Sequence, residues 1–182
     1  IRSRCRYLAG IELDPEAARE GAAFFDDPLV EDVVRGLAGP WREPFDVIVA
    51  GDVLEHLPEP DLALSLLRPL LVPGGTLLVS LPNVANVTVR LGLLFGRFPA
   101  AERGILDRTH LRFFTRKTGR ELLTRNGFRV ERETPTSMPV ELAFPVLGRP
   151  PLAAPVRASA RLLAAAWPGM FAYQLVYEAR PA

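Results

Sequence analysis

The chain has 182 residues, the length of one domain, and its 48% hydrophobic and 24% charged residues are typical of a globular protein. One cysteine, Cys5, excludes an internal disulfide and a cysteine-based metal cluster, and predicts a reducing, cytoplasmic compartment. The longest uncharged stretch near the end, residues 162–177, is shorter than a membrane-spanning helix and contains Pro168 and Gly169. We therefore expect a soluble domain without a transmembrane segment.

The formal net charge of +1 hides an asymmetry along the chain. Residues 1–89 carry −7, residues 90–132 carry +7 and residues 133–182 carry +1. The basic middle segment favours an anionic small-molecule partner, and it is too short for the broad basic surface that nucleic acid requires. Arg outnumbers Lys by 21 to 1, which predicts a GC-rich bacterial source. The alternative interpretation of the basic middle segment is that Arg is simply the usual surface cation of this source.

In the first third of the chain, apolar runs alternate with helical patterns. Residues 7–13 (YLAGIEL) predict a strand, and Asp14 followed by Pro15 predicts the start of a helix. Residues 29–33 predict a short second strand, and the β-branched run at 45–50 predicts a central strand.

The alternation continues to the end of the chain. A helix capped by Asp61 is expected to end at Pro69, and a turn at 73–75 leads to a strand at 76–81. The later predicted elements are a helix over 83–95, a helix from Thr115 to Asn126, a strand at 128–133, a connection at 145–155, a helix at 155–166 and a last strand at 172–179. This order predicts a single α/β domain with a doubly wound, mostly parallel sheet.

Polar residues end or follow four of the predicted strands, at the edge where open parallel sheets bind ligands. They are Glu12, Asp32, the pair Gly51 and Asp52, and Asn83 after Pro82. A carboxylate at such a strand end can accept hydrogen bonds from ribose hydroxyls, and it can equally cap the next helix.

Four segments carry a resemblance to a known family. GIELDPEAA, FDVIVAGDVLEHLPEPDLAL, LLVPGGTLLVSLPNVANVTVRLGLLFGRF and GILDRTHLRFFT resemble consecutive motifs of class I S-adenosylmethionine-dependent methyltransferases of the branch with the LEHL signature. The resemblance runs from about residue 11 to residue 128. It implies a Rossmann-like sheet whose last strand, here 172–179, inserts antiparallel beside the fifth.

The resemblance also implies which residues hold S-adenosylmethionine. Glu12 and Leu13 would contact the ribose, and Asp32 and the Val33 backbone would contact the adenine. Gly51 and Asp52 would lie beside the methionine moiety. The strand and Gly-rich loop with which the family begins have no counterpart before Tyr7. We therefore expect an amino-terminally truncated enzyme or a degenerate protein, a gap between the strands at 7–13 and 45–50, and weak cofactor binding by this chain.

The chain has two histidines, His56 and His110, and each lies in a site segment of the resemblance. Asp52, Glu55 and His56 have the i, i+3, i+4 spacing of one helical face. Together with His110 they would suit Mg, Mn or Zn, as in methyltransferases of ubiquinone synthesis and of small-RNA ends that the sequence distantly resembles. The alternatives are a metal-free histidine base, or a purely structural role in holding the loop after the third strand.

Three arginines and one asparagine are candidates for binding the acceptor. Arg108, Arg112 and Arg116 would form one basic stripe if their segment is helical, and Asn83 is a further candidate for substrate binding. We expect methyl transfer to an oxygen of a small-molecule or sugar-bearing acceptor, with residues 134–171 as a candidate lid or lipid-carrier contact. A catalytically silent scaffold and a different nucleotide enzyme, such as a dehydrogenase, are the competing hypotheses.

Overall fold

The computed structural model describes residues 2–37, 41, 43–139, 151 and 153–182. The strands are β1 (Ala9–Glu12), β2 (Asp27–Val30), β3 (Phe45–Gly51), β4 (Leu71–Pro82), β5 (Phe128–Pro135) and β6 (Gln174–Pro181). The α-helices are α1 (Pro15–Gly21), α2 (Val33–Leu37), α3 (Pro60–Leu67), α4 (Val87–Leu94), α5 (Arg116–Arg125), α6 (Ala153–Ala166) and α7 (Pro168–Phe171). Short 3₁₀ helices lie at Arg2–Arg4, Ala22–Phe24, Leu54–His56 and Arg68–Leu70.

The strands form two separate sheets. In the larger one the order is β3-β4-β6-β5, where β3 and β4 are parallel and β6 is antiparallel to both of its neighbours. β1 and β2 form a parallel pair of their own. We call the larger sheet with α3 and α5 the four-stranded unit, and the smaller sheet with α1 and α2 the two-stranded unit. The α/β class and the antiparallel last strand are confirmed.

The predicted gap lies between the two sheets. Within the residues that the structure describes, no strand pairing joins β1 to β3. Val47 and Val49 of β3 are largely exposed, although a central strand would bury them. The two units meet through side chains instead, since the ring of Tyr7 stacks on Phe45 at 6.3 Å.

The core of the four-stranded unit follows the two-residue repeat of its central strands. In the register of β4 and β6, buried residues of one strand lie beside buried residues of the other. The pairs are Leu77 with Ala179, Val79 with Tyr177, and Leu81 with Leu175. Leu64 of α3 and Leu122 of α5 are fully buried in the same cluster. This core supports the carboxyl ends of β3 and β4.

Local chemistry sets the helix ends. Thr115 and Thr118 form a reciprocal capping box at the start of α5, and Gly127, with a φ of 77°, follows its end, as predicted. The helix before Pro69 ends at Leu67, also as predicted. Asp61 is not its cap, because the helix starts at Pro60 and the Asp61 carboxylate instead accepts hydrogen bonds from Arg125 of α5.

Other predicted boundaries shift for similar reasons. β2 ends at Val30, before the predicted residue 33, because Asp32 accepts hydrogen bonds from the first backbone amides of α2. The helix predicted from residue 83 begins only at Val87, where Asn86 caps it. Of the predicted connection at 145–155 and the candidate lid at 134–171, residues 140–150 and 152 lie outside the described residues. None of the helices described is both long and apolar enough to cross a membrane.

Candidate functional site

A cleft of about 230 Å³ opens where β3 and β4 end and β6 begins. It is lined by Asp52, Glu55, His56, Pro82, Arg103, Gly104, Asp107, His110, Tyr173 and Gln174. The four residues predicted as a candidate metal set are therefore all present in one cleft. A wider groove, at the start of β4 and the end of β6, is lined by Arg68, Arg125 and their neighbours and contains none of the predicted site residues.

Asp52 is held in an uncommon backbone conformation directly after β3. Its φ is 53°, the left-handed region that residues other than Gly rarely adopt. Its Oδ1 accepts hydrogen bonds from the Ser80 hydroxyl at 2.7 Å and from the Gln174 amide at 2.8 Å. Three strands thus fix this carboxylate at the cleft, with Ser80 from β4 and Gln174 from β6.

Glu55 is the most unusual polar residue of the cleft. Its side chain is 1% exposed, and neither carboxylate oxygen has a hydrogen-bond partner among the described residues. Burial, and to a smaller extent the nearby negative charge of Asp52, raise the pKa of Glu55 to about 7. An unpartnered buried carboxyl group costs stability, which makes Glu55 a candidate for binding a ligand or a proton.

The Glu55 backbone brings the two histidines together. Its carbonyl oxygen accepts hydrogen bonds from the amides of Leu111 and Arg112 at 2.9 and 3.0 Å. This ties the Leu54–His56 turn to the segment that carries His110. The imidazole rings of His56 and His110 consequently lie 4.8 Å apart, centre to centre, with an edge-to-face angle of 73°.

Both rings are oriented by backbone carbonyl groups. Nδ1 of His56 lies 3.2 Å from the Thr109 carbonyl oxygen, and Nδ1 of His110 lies 3.1 Å from that of Ile105. Because a carbonyl oxygen only accepts hydrogen bonds, the proton of each neutral ring is on Nδ1. Nε2 of each ring then presents a lone pair that can take a proton or bind a cation.

Glu55, His56 and His110 each offer one potential ligand atom, a carboxylate oxygen or a ring nitrogen, and these three atoms lie within 4.8 Å of one another. Asp52 lines the same cleft but does not belong to this group of three. The expected helical face of Asp52, Glu55 and His56 is replaced by a 3₁₀ turn that starts after Asp52. The arrangement can accept a proton from a hydroxyl group, or hold a divalent cation through one oxygen and two nitrogens.

The residues predicted to hold S-adenosylmethionine fall into two groups. Glu12 is the exposed last residue of β1. Among the described residues only its Oε1 is engaged, by the Asp14 amide at 3.0 Å, so the carboxylate has room to accept hydrogen bonds from a ribose diol. Leu13 follows it and is exposed. The Asp32 carboxylate is occupied by the start of α2, and Val33 packs against the core. Gly51 and Asp52 lie at the end of β3, above the cleft.

The residues predicted to bind substrate do not line the cleft. Asn83 is completely buried, and its amide donates to the Ala172 carbonyl while its Oδ1 accepts from the Ala85 amide. It therefore holds the chain around α7 together. Arg112 donates twice to the Pro58 carbonyl, and Arg108 pairs with Glu102.

The expected basic stripe does not form, because the segment before Thr115 is not helical. Arg116 lies in α5 and pairs with Glu133 of β5.

Several cleft residues were not predicted from the sequence. Asp107 accepts hydrogen bonds from the amide and hydroxyl of Thr109, a local Asx turn that the spacing D-x-T could have indicated. Gly104 has a φ of 100°, and a Cβ there would lie 2.6 Å from the Tyr173 hydroxyl. Tyr173 and Gln174 reach the cleft only because β6 pairs with β4, and no local pattern reveals that pairing.

Comparisons with known proteins agree with this architecture. Residues 4–133 match the family described as a methyltransferase domain. No curated protein matches the chain significantly.

Solved structures show the same fold at low sequence identity. A SAM dependent methyltransferase from Archaeoglobus fulgidus is 15% identical with a TM-score of 0.62, and the match covers 94% of this chain and 74% of that one. The magnesium protoporphyrin IX methyltransferase of Synechocystis PCC 6803, solved with bound SAH, is 18% identical with a TM-score of 0.54, over 97% and 64% of the two chains. The [4+2]-cyclase SpnF is 22% identical with a TM-score of 0.56, over 99% and 69%. The last of these shows that the fold alone does not determine the reaction.

Proposed function

Since the chain belongs to the methyltransferase-domain family, we propose that it transfers a methyl group from S-adenosylmethionine to a hydroxyl oxygen of a small acceptor. The observation that carries this proposal is the group formed by Glu55, His56 and His110, whose potential ligand atoms lie within 4.8 Å of one another at the ligand-binding edge of the sheet. A hydroxyl acceptor must lose its proton during methyl transfer, and this group is suited to remove it.

The cofactor side of the proposal rests on strand ends. When bound, S-adenosylmethionine supplies an electrophilic methyl group on a sulfonium sulfur. Glu12 would accept hydrogen bonds from the two ribose hydroxyls, and the turn of Gly51 and Asp52 would support the amino-acid end beside the cleft. Ser80 and Gln174 already hold the Asp52 carboxylate in place, so this side chain need not become ordered when the cofactor binds.

On the acceptor side, the proton leaves through a histidine. The acceptor O–H donates to Nε2 of His56, the O–H bond breaks toward that nitrogen, and the oxygen becomes the nucleophile. The Thr109 carbonyl holds the Nδ1 proton of His56 and stabilises the ring when it becomes cationic. Arg103 is exposed on the rim of the cleft and would meet an anionic group of the acceptor.

A divalent cation is the second candidate for activating the acceptor. The three atoms of Glu55, His56 and His110 within 4.8 Å favour it, as do the two unpartnered oxygens of Glu55. Mg, Mn or Zn at this position would bind the acceptor oxygen and lower its pKa. The histidines would then act as ligands, and the proton would pass to solvent.

The experiment is a methyl-transfer assay with a panel of hydroxyl acceptors, measured by S-adenosylhomocysteine release. His56→Ala is expected to reduce the rate by about 10² to 10⁴, and Lys117→Ala, on the exposed surface of α5, serves as the control. Full activity of His56→Ala and His110→Ala with a saturating acceptor would contradict the role of this group.

A chelator separates the two candidates. With a direct histidine base, EDTA leaves the rate unchanged and His110→Ala is milder than His56→Ala. With a cation, EDTA abolishes transfer, Mn or Mg restores it, and both histidine variants lose activity together. Metal binding is also measured directly by calorimetry, without any acceptor.

A further inference from the structure

A run of exposed apolar side chains lies at the end of α4 and in the turn after it. We call it the apolar face, and it consists of Leu91, Leu93, Leu94, Phe95 and Phe98. Leu94 is 76% exposed and Phe95 is 74% exposed. Large apolar side chains that are adjacent and exposed usually mark an interaction surface.

The backbone around the apolar face is well ordered by hydrogen bonds. The other side of α4 is anchored by the buried Val89. After the helix, Gly96 reverses the chain at a φ of 67°, and the Arg97 amide donates to the Gly92 carbonyl at 2.8 Å. The turn therefore holds Phe95 and Phe98 beside the helix end, as a fixed projection.

The chemistry of this segment is restricted to apolar contact and positive charge. Residues 87–101 contain Arg90 and Arg97 and no Asp or Glu, and residues 91–98 contain no uncharged polar side chain. Both arginines are exposed, and no ion pair with another described residue neutralises Arg97. Protein interfaces use about one hydrogen bond per 100–200 Å², whereas a bilayer needs only apolar insertion and attraction to anionic headgroups.

The apolar face is connected to the candidate site through aromatic rings. The ring of Phe98 lies 5.6 Å from that of Phe113, which in turn lies 6.3 Å from His110. Phe113 is itself exposed. These ring contacts thus link the apolar face to His110, which lines the cleft.

We infer that the apolar face docks the protein on the surface of an anionic lipid bilayer, so that the cleft receives an acceptor carried by a lipid in that bilayer. Leu94 and Phe95 insert among the acyl chains near the headgroups, and Arg90 and Arg97 contact the anionic headgroups. The statement about the acceptor rests on the proposed function, and the statement about docking does not.

The test is cosedimentation of the full chain with vesicles of phosphatidylcholine containing about 30% phosphatidylglycerol. Phe95→Asp is expected to weaken vesicle binding by about tenfold or more, since it removes an aromatic side chain that the bilayer would bury. Arg97→Gln is expected to weaken it by about fivefold. Phe24→Asp and Arg19→Gln, exposed positions in the two-stranded unit, are the matched controls and should bind as the unmodified chain does.

Several outcomes would overturn the inference. The first is that Phe95→Asp and the unmodified chain bind the vesicles equally. The second is that the unmodified chain binds pure phosphatidylcholine vesicles as well as anionic ones. The third is that the chain does not bind vesicles but self-associates in solution, and that Phe95→Asp abolishes this association. Leu94→Gln provides a second variant should Phe95→Asp alter the circular dichroism spectrum. Because vesicle binding needs no methyl transfer, a chain that docks but does not methylate contradicts the proposed function alone.

Discussion

The two units of the molecule differ in how firmly they hold their site residues. In the four-stranded unit, β4 and β6 bury alternate side chains completely, and Glu55, His56 and His110 are positioned on that core. In the two-stranded unit, no residue of β1 or β2 is buried, and Glu12 projects from an exposed strand end. The proposed proton-handling side of the candidate site is therefore fixed by packing, whereas Glu12 on the proposed cofactor side depends on a few contacts at the surface.

The largest expected effect tests this difference in packing. Leu122→Ala removes a fully buried side chain of α5 and should lower the free energy of unfolding by about 3 kcal/mol. Leu13→Ala is the same change at an exposed position of the two-stranded unit and should cost less than about 0.5 kcal/mol. Urea unfolding followed by circular dichroism measures both, and equal losses would contradict the comparison.

The cofactor side is tested at Glu12. Glu12→Ala should weaken S-adenosylmethionine binding by about 1.5 to 3 kcal/mol, the range for a hydrogen bond to a charged group. Calorimetric titration measures the affinity, with Glu16→Ala in the exposed first turn of α1 as control. An unchanged affinity would remove Glu12 from the site.

The loop of the cleft offers a smaller test. Gly104→Ala should cost about 2 kcal/mol of stability, because the residue has a positive φ and its new Cβ would meet the Tyr173 hydroxyl. Gly96→Ala also has a positive φ but open space around it, so it reports the backbone strain alone. In a Tyr173→Phe background the excess cost at Gly104 should fall, and an unchanged excess would exclude the steric cause.

The smallest effect concerns an ion pair between α3 and α5. Hydrogen bonds from Arg125 and Asn126 lower the pKa of Asp61 to about 2. A lowered carboxyl pKa stabilises the fold above the unfolded value of about 3.9, and this contribution disappears as the pH falls through about 2. Because both side chains are half exposed, we expect less than about 1 kcal/mol. Asp61→Asn should flatten the stability profile between these pH values, and an unaltered profile would contradict the assignment.

Local sequence patterns predicted those elements whose ends are set by nearby residues. Thr115 and Asn126 bounded α5 correctly, since both signals act within one turn of the helix. The histidine pair was also predicted, from the motif segments that contain His56 and His110. Asn83 illustrates the limit, because its role depends on α7, which lies more than 80 residues later in the chain. Pairing between distant segments leaves no periodic signal in either of them.

The position of β6 has a consequence for the order of folding. This strand lies between β4 and β5, so the four-stranded sheet cannot close until residues 174–181 have been synthesised. Gln174, which begins the strand, also holds the Asp52 carboxylate, 122 positions earlier in the sequence. Such distant pairings slow folding. During synthesis, the backbone groups of β4 and β5 that will pair with β6 have no strand partner until β6 is made. Closure of the sheet and completion of the cleft thus both require β6, and a nascent chain that lacks β6 carries the histidine motifs without a finished site.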